Sequence, residues 1–241
     1  LDSEILLSKA IKKERKFILL NLDKELNRND QDNFKNLIIK RSKGVPMAHL
    51  TGIKSFWKSD FKVNNKVLIP RPETEVIIEQ VLKIYKNKDN LNFLEVGIGS
   101  GCIILSLLKE KKYFLGTGID LSEDCIRICK YNAANLGVNS RLRLIKSNID
   151  NFNFGKYDLI ISNPPYIKKF ELKKLHKEVR NYEPKLALDG GLEGISVIRK
   201  VINKSSELIK THGKLILEIG CDQTELIKKM LNKKGFYINK I

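Results

Sequence analysis

Between residues 91 and 231, short apolar runs of strand character alternate with longer segments of helical period. This alternation constrains the fold more than any other feature of the chain. The strand-like runs cover 91–96, 114–119, 141–145, 157–162 and 214–219, with a last one beginning at Phe236. Helical spacing covers 75–84, 102–109, 122–136, 195–209 and 222–231. Parallel strands cannot be joined by a tight turn and need a crossover, so strands separated by helices specify a parallel sheet with helices on its faces. The expected class is α/β, a doubly wound sheet whose ligand crevice lies beyond the carboxyl ends of its strands.

Ahead of this region the pattern changes. Residues 1–40 place Ile5, Leu6, Lys9, Ala10 and Lys13, then Phe17, Leu20, Phe34 and Ile38, at helical spacing, which predicts a small bundle of short helices. Gly44-Val45-Pro46 through Gly52 interrupts that period. Strands at 56–63 and 67–69 around an Asn64-Asn65 turn then predict a hairpin linker, with Trp57 packed inside it. The boundaries expected are 1–52 for the helical domain, 53–72 for the hairpin linker and 73–241 for the sheet domain.

A formal charge of +17 invites a nucleic-acid partner, because basic surfaces neutralise phosphates. Lysine, however, is spread along the whole chain beside abundant Asn and Ile, a bias that puts solvated lysines on every face and argues against a dedicated nucleic-acid site. Lys168, Lys169, Lys173, Lys174 and Lys177 read either as a solvated helix face or as a field that steers an acidic partner. The four cysteines, Cys102, Cys125, Cys129 and Cys221, form no Cys-x-x-Cys pair and have no histidine at metal spacing, so no metal site is expected and the chain reads as reduced and intracellular. His49, His176 and His212 are scattered and make no triad with a serine. No apolar run approaches the roughly 20 residues of a membrane span, and no signal peptide is recognisable, so a cytoplasmic setting is expected.

Three local patterns carry chemistry. Gly97-Ile98-Gly99-Ser100-Gly101 joins the first strand of the sheet domain to its helix, and glycines there let backbone approach a ligand closely at a helix N-terminus. The G-x-G-x-G spacing differs from the dinucleotide fingerprint and lacks the Lys of a P-loop, so a loop for an amino-acid-bearing nucleoside fits better than a pyrophosphate cradle. Asp120 ends the next strand, where an acid can accept both ribose hydroxyls; its alternative use is a helix cap, for which Ser122 is better suited. The strand 157–162 runs into Asn163-Pro164-Pro165-Tyr166. That segment reads as a plain strand-stopping turn, or as a pocket in which the Asn163 side-chain oxygen and the Pro164 carbonyl accept the two N–H groups of a planar amide while Tyr166 offers a flat face.

Taken together, a G-x-G-x-G loop, a second-strand acid and an Asn-Pro-Pro-Tyr turn point to S-adenosylmethionine as the cofactor. At this level the chain resembles the HemK/PrmC family, the protein-(glutamine-N5) methyltransferases of class I peptide-chain release factors. The matching segments are Gly44-Val45-Pro46 with Gly52, Phe56 and Phe61, then Val67 through Pro70-Arg71-Pro72-Glu73-Thr74-Glu75, the glycine loop, Asn132 through Gly137, the Asn163 turn, Glu183-Pro184 through Gly190-Gly191, and Leu217-Glu218-Ile219-Gly220 with Gln223. The resemblance implies a Rossmann-like S-adenosylmethionine-dependent methyltransferase sheet, an N-terminal substrate-recognition domain, and S-adenosyl-L-homocysteine as product. It implies that Gly97, Ile98, Gly99, Ser100 and Gly101 line the cofactor's methionine portion and that Asp120 holds its ribose. Asn163 would lie between cofactor and acceptor, with Pro164, Pro165 and Tyr166 against the substrate glutamine; Asn163, Pro164 and Tyr166 are the catalytic set. Glu95 stands where the family commonly has Asp, and Asn148-Ile149 where it has an Asp-aromatic pair near the adenine, which leaves Ile149 as the adenine contact.

Two related chemistries use the same turn. A DNA adenine N6 methyltransferase poses the same problem of a planar NH2, but a chain of this length leaves no room for a target-recognition domain. A sister branch methylates a glutamine of a large-subunit ribosomal protein and usually departs from Pro-Arg-Pro-Glu-Thr-Glu. The expected partner is therefore a class I release factor, met by a monomeric enzyme.

Overall fold

The computed structural model describes residues 1–241. Its N-terminal helices are α1 (Asp2–Ile11), α2 (Arg15–Leu19), α3 (Arg28–Ser42) and α4 (Met47–Thr51). Asn27 starts α3 by accepting the Asp30 N–H at 2.9 Å, which satisfies one of the donors that a helix start leaves free. The bundle is thin. Leu6, Ala10, Ile18, Ala48 and Leu50 are buried, whereas α3 buries no residue at all.

The linker is a two-stranded antiparallel hairpin, β1 (Ile53–Phe56) and β2 (Ser59–Lys62). It lies earlier than the sequence pattern suggests. The chain turns at Trp57, in a left-handed conformation at φ 53°, rather than at Asn64-Asn65. Trp57 is fixed there by its backbone N–H on Glu75 Oε1 (2.6 Å) and its indole N–H on Glu110 Oε1 (2.7 Å). Asn64 does form a local turn, accepting the Lys66 N–H on its side chain at 2.8 Å, but the chain beyond it does not pair back. Val67 and Ile69 instead enter an apolar cluster with Ala48, Val63, Cys125 and Ile128, which explains their hydrophobicity without a strand.

The sheet domain begins with α5 (Glu75–Ile84) and continues β3 (Leu91–Val96), α6 (Cys102–Glu110), β4 (Phe114–Asp120), α7 (Glu123–Asn135), β5 (Leu142–Lys146), β6 (Tyr157–Ser162), α8 (Lys177–Tyr182), α9 (Ser196–Leu208), β7 (Ile209–Leu217) and α10 (Thr224–Lys233). The strands form one parallel five-stranded sheet in the order β5-β4-β3-β6-β7. Strand order therefore reverses at β3, and the crevice beyond β3, β4 and β6 is the topological switch point where such sheets bind ligands. Apolar side chains cover both faces: Phe93, Leu105, Phe114 and Leu159 on one, Leu94, Ile119, Ile160 and Val201 on the other. Phe56 and Phe61 of the hairpin join the first of these clusters, edge to face at 6.1 Å, so the linker is part of the sheet domain's core.

The strand expected from Phe236 is absent. Phe236 packs on the cluster of Ile195, Ile198, Ile202 and Ile227 between α9 and α10, and residues 236–241 carry no regular structure. Strand β7 starts earlier than expected, directly from α9, and absorbs the abrupt change of direction through a register shift and a left-handed His212 at φ 63°.

Candidate active site

The glycine loop leaves β3 and hydrogen-bonds back to β4, with the Gly97 N–H on the Ile119 carbonyl at 2.9 Å. Gly97, Gly99 and Gly101 all have positive φ, but they serve different ends. A Cβ on Gly97 or Gly99 would meet no atom within 4 Å, so the loop presents bare backbone to the open crevice there. A Cβ on Gly101 would lie 2.5 Å from Cys129 Sγ and 2.9 Å from Leu105 Cδ1, so this glycine lets α6 start against α7. Ile98 and Ser100 are buried at 2% and 1% exposure, so their side chains face the interior and only their backbones can serve a ligand.

Beneath the loop, Glu95 is fully buried and accepts the Ile104 N–H at 2.8 Å, one of the free donors at the start of α6. Burial pushes its carboxyl well above the usual range, and the nearby Asp120 adds to this. Asp120, expected at a strand end as a ribose acceptor, is already tied into the loop. Its Oδ2 accepts the Gly99 N–H at 3.1 Å and its Oδ1 the Ser122 N–H at 2.9 Å. Burial raises its pKa despite these bonds. The Cys125 thiol and the Leu121 N–H face the same carboxylate, so Asp120 is a shared acceptor at the loop.

Ile149 is buried at 7% exposure among Val96, Ile119 and Phe152, at the edge of the second core cluster rather than on the open side of the loop. Asn148 spends its side-chain oxygen on the Asp150 N–H at 3.1 Å.

At the end of β6, Asn163 donates from Nδ2 to Thr74 Oγ1 at 3.1 Å, and Thr74 donates to Glu218 Oε2 at 2.8 Å. Within the chain, neither the Asn163 side-chain oxygen nor the Pro164 carbonyl accepts a hydrogen bond. Tyr166 is half-buried, and its phenol is raised by burial and by the Glu218 carboxylate beside it. Gln223, itself buried, donates to the carbonyls of Tyr166 (2.9 Å) and Gly194 (3.1 Å) and accepts the Gly220 N–H (3.0 Å), which anchors the far side of the turn.

The crevice thus brings together Gly97, Gly99 and Asp120 on one side of β3 and Asn163, Pro164, Pro165 and Tyr166 on the other. Thr74, Glu218, Asn132 and Gln223 were not among the expected site residues. Asn132 is buried at 1% in the middle of α7 and bonds both the Lys62 backbone (2.9 and 3.1 Å) and the Ser100 carbonyl (2.9 Å). An amide inside the apolar stripe of a helix was the signal that could have revealed it.

A PrmC N-terminal domain model matches residues 1–52, and a methyltransferase domain model matches residues 87–240. The release factor glutamine methyltransferase of Caulobacter vibrioides is 35% identical, over 98% of this chain and 82% of its own length. The chain belongs to the release factor glutamine methyltransferase family. A bifunctional methyltransferase of Rickettsia conorii is also 35% identical, across all of this chain but 51% of its own length, so the chain spans about half of that relative. Among solved structures, a methyltransferase from Pyrococcus furiosus superimposes with a TM-score of 0.56 at 21% identity, covering 87% of this chain and 90% of the other, and shares the fold.

In this family member the linker meets the end of α8 through an ion pair. Glu183, whose side chain is 1% exposed, accepts the Ile69 N–H at 3.1 Å and pairs with Arg71. Glu183→Gln keeps an acceptor for Ile69 and removes the charge, so a loss of about 1–2 kcal/mol is expected, given that Arg71 is partly solvated. Thermal unfolding should show a fall of roughly 2–8 °C. An unchanged melting temperature would reduce the pair to a surface contact.

Proposed function

We propose that this chain transfers a methyl group from S-adenosyl-L-methionine to the side-chain amide nitrogen (N5) of the glutamine in the Gly-Gly-Gln motif of class I peptide-chain release factors. The observation that carries the reading is the pair of unengaged acceptors, Asn163 Oδ1 and the Pro164 carbonyl, on a rigid turn at the end of β6, beside the β3 end from which the glycine loop leaves. An amide nitrogen is a poor nucleophile because its lone pair is delocalised. Two fixed acceptors that take its two N–H groups orient that nitrogen and stabilise the positive charge that grows on it.

The residues present fit the cofactor. Bare backbone at Gly97 and Gly99 leaves room for its methionine portion, and the Asp120 carboxylate at the end of β4 suits the ribose hydroxyls as an acceptor. Ile149 is assigned to the adenine by its place in the chain alone, since its side chain is buried in the core cluster. When bound, the group supplies an electrophilic methyl on a sulfonium. The chain's own contribution is orientation, and since the methylated nitrogen loses its proton readily, no strong base is required. Tyr166 and Pro165 wall the acceptor side.

The match of residues 1–52 to a PrmC N-terminal domain supports a release factor over DNA as partner, while the charge of +17 is what favours DNA. No helix is long and apolar enough to cross a membrane. We place the enzyme in the cytoplasm as a monomer that meets the release factor with its N-terminal helices. Incubation with labelled cofactor and, in parallel, release factor, its Gln-to-Ala loop variant and unmethylated DNA tests the reading. One label on the parent release factor alone is expected. Equal label on the loop variant, or label on DNA in preference, would overturn it.

A further inference from the structure

We propose that Thr74 and Glu218 act as a positioning relay that decides which way round the Asn163 side-chain amide faces. The inference rests on the methyl-transfer reading above and deepens it. An amide has two ends of similar shape and opposite hydrogen-bonding character. For Asn163 to receive an N–H of the acceptor, its oxygen must face the acceptor; the reversed amide would present an NH2 group to another NH2 group. Packing by shape alone hardly distinguishes the two, so something polar must.

Thr74 makes the distinction. A hydroxyl has one hydrogen, and the Thr74 hydrogen is committed to Glu218 Oε2 at 2.8 Å. What remains toward Asn163 is lone pairs, which only the Nδ2 end can meet, as it does at 3.1 Å. Glu218 is held in register because its own N–H bonds the Ser162 carbonyl at 3.1 Å, the residue before Asn163. Thr74 is 3% exposed, so solvent cannot substitute for its hydroxyl. The three residues come from the turn before α5, the end of β6 and the end of β7, and Glu218 also faces the Asn163 amide and the Tyr166 hydroxyl directly, where again only the Nδ2 end of Asn163 can meet a carboxylate.

The direction of the relay depends on Glu218 being an acceptor. Glu73 and the Tyr166 hydroxyl face it, with Arg71 beyond Tyr166, and its burial raises its pKa. As pH falls through that raised value, a protonated Glu218 can donate to Thr74, which frees Thr74 to donate to Asn163 and admits the reversed amide. Turnover should therefore show an acid limb that belongs to Glu218.

Thr74→Val removes the hydroxyl at nearly constant shape, Thr74→Ser keeps it, and Glu218→Gln removes the titration. For Thr74→Val, kcat on the release factor is expected to fall on the order of 10- to 100-fold, with KM and cofactor affinity little changed. Thr74→Ser should stay near the parent, and Glu218→Gln should flatten the acid limb. An independent readout uses protein labelled with 15N in asparagine side chains. The Asn163 NH2 signal should be slow to exchange in the parent and in Thr74→Ser, and fast in Thr74→Val. Failure of the parent to label any release factor would remove the function reading and leave the exchange measurement to decide the relay. A parent that labels normally, beside a folded Thr74→Val of equal kcat or an Asn163 signal equally protected in both, would overturn it. Should Thr74→Val not fold, an acid limb unchanged in Glu218→Gln would do the same.

Discussion

Asn163→Ala is expected to lower kcat by about 10²–10³-fold while leaving cofactor affinity within a few-fold of the parent, the range seen when one oriented donor or acceptor is removed from a reacting centre. Inside the chain its amide nitrogen meets Thr74 and Glu218, and no hydrogen bond links it to the glycine loop. Its loss therefore removes half of the acceptor pair without disturbing the loop. Asn163→Asp is the informative companion, because it keeps an acceptor but puts a second carboxylate against Glu218, which burial already raises. Rapid-quench turnover and calorimetry with the cofactor separate the two quantities. Near-normal kcat in Asn163→Ala would remove the Asn163 turn from the chemistry.

Asp120→Ala is expected to weaken S-adenosylmethionine binding by about 10- to 100-fold, the worth of one or two hydrogen bonds to a charged acceptor. The structure adds a second effect. The same carboxylate holds the Gly99 N–H and the Ser122 N–H, so its removal leaves the loop and the start of α7 without a shared acceptor. Asp120→Asn separates the two effects, since its one remaining oxygen can still take the Gly99 N–H while the charge is gone. If Asp120→Asn binds cofactor as the parent does, the carboxylate serves the loop alone and the ribose is held elsewhere.

The parts of this fold that were readable in advance share one property: their signals are local. The helix Glu75–Ile84 and the strands Leu91–Val96 and Tyr157–Ser162 are apolar segments with sharp polar or proline boundaries, and they form as their spacing predicts. The hairpin was misplaced because Phe56 and Phe61 look like one alternating strand. The turn between them rests on Trp57 at positive φ, which no Gly or Asn marks. Strand character at Phe236 was overridden by packing against α9 and α10. The site divides in the same way. Glycines, an acid and an Asn-Pro-Pro turn each announce a strand end, whereas the Thr74–Glu218 bond spans 144 positions and exists only once α5 lies over the ends of β6 and β7. Asp120 ends β4 as its pattern predicts, but the bonds it carries have no sequence mark, because they come from backbone donors of the neighbouring loop.

The buried Asn132 has a mechanical consequence. Its oxygen accepts the Lys62 N–H in the hairpin, while its nitrogen donates both to the Lys62 carbonyl and to the carbonyl of Ser100 in the glycine loop. The hairpin is also the stalk that joins the N-terminal helices to the sheet. The stalk of the N-terminal helices and the backbone of the glycine loop are therefore tied to one buried amide, in addition to the apolar contacts of Phe56 and Phe61. Truncation of that amide would loosen the stalk and the loop together, because both lose the same buried partner.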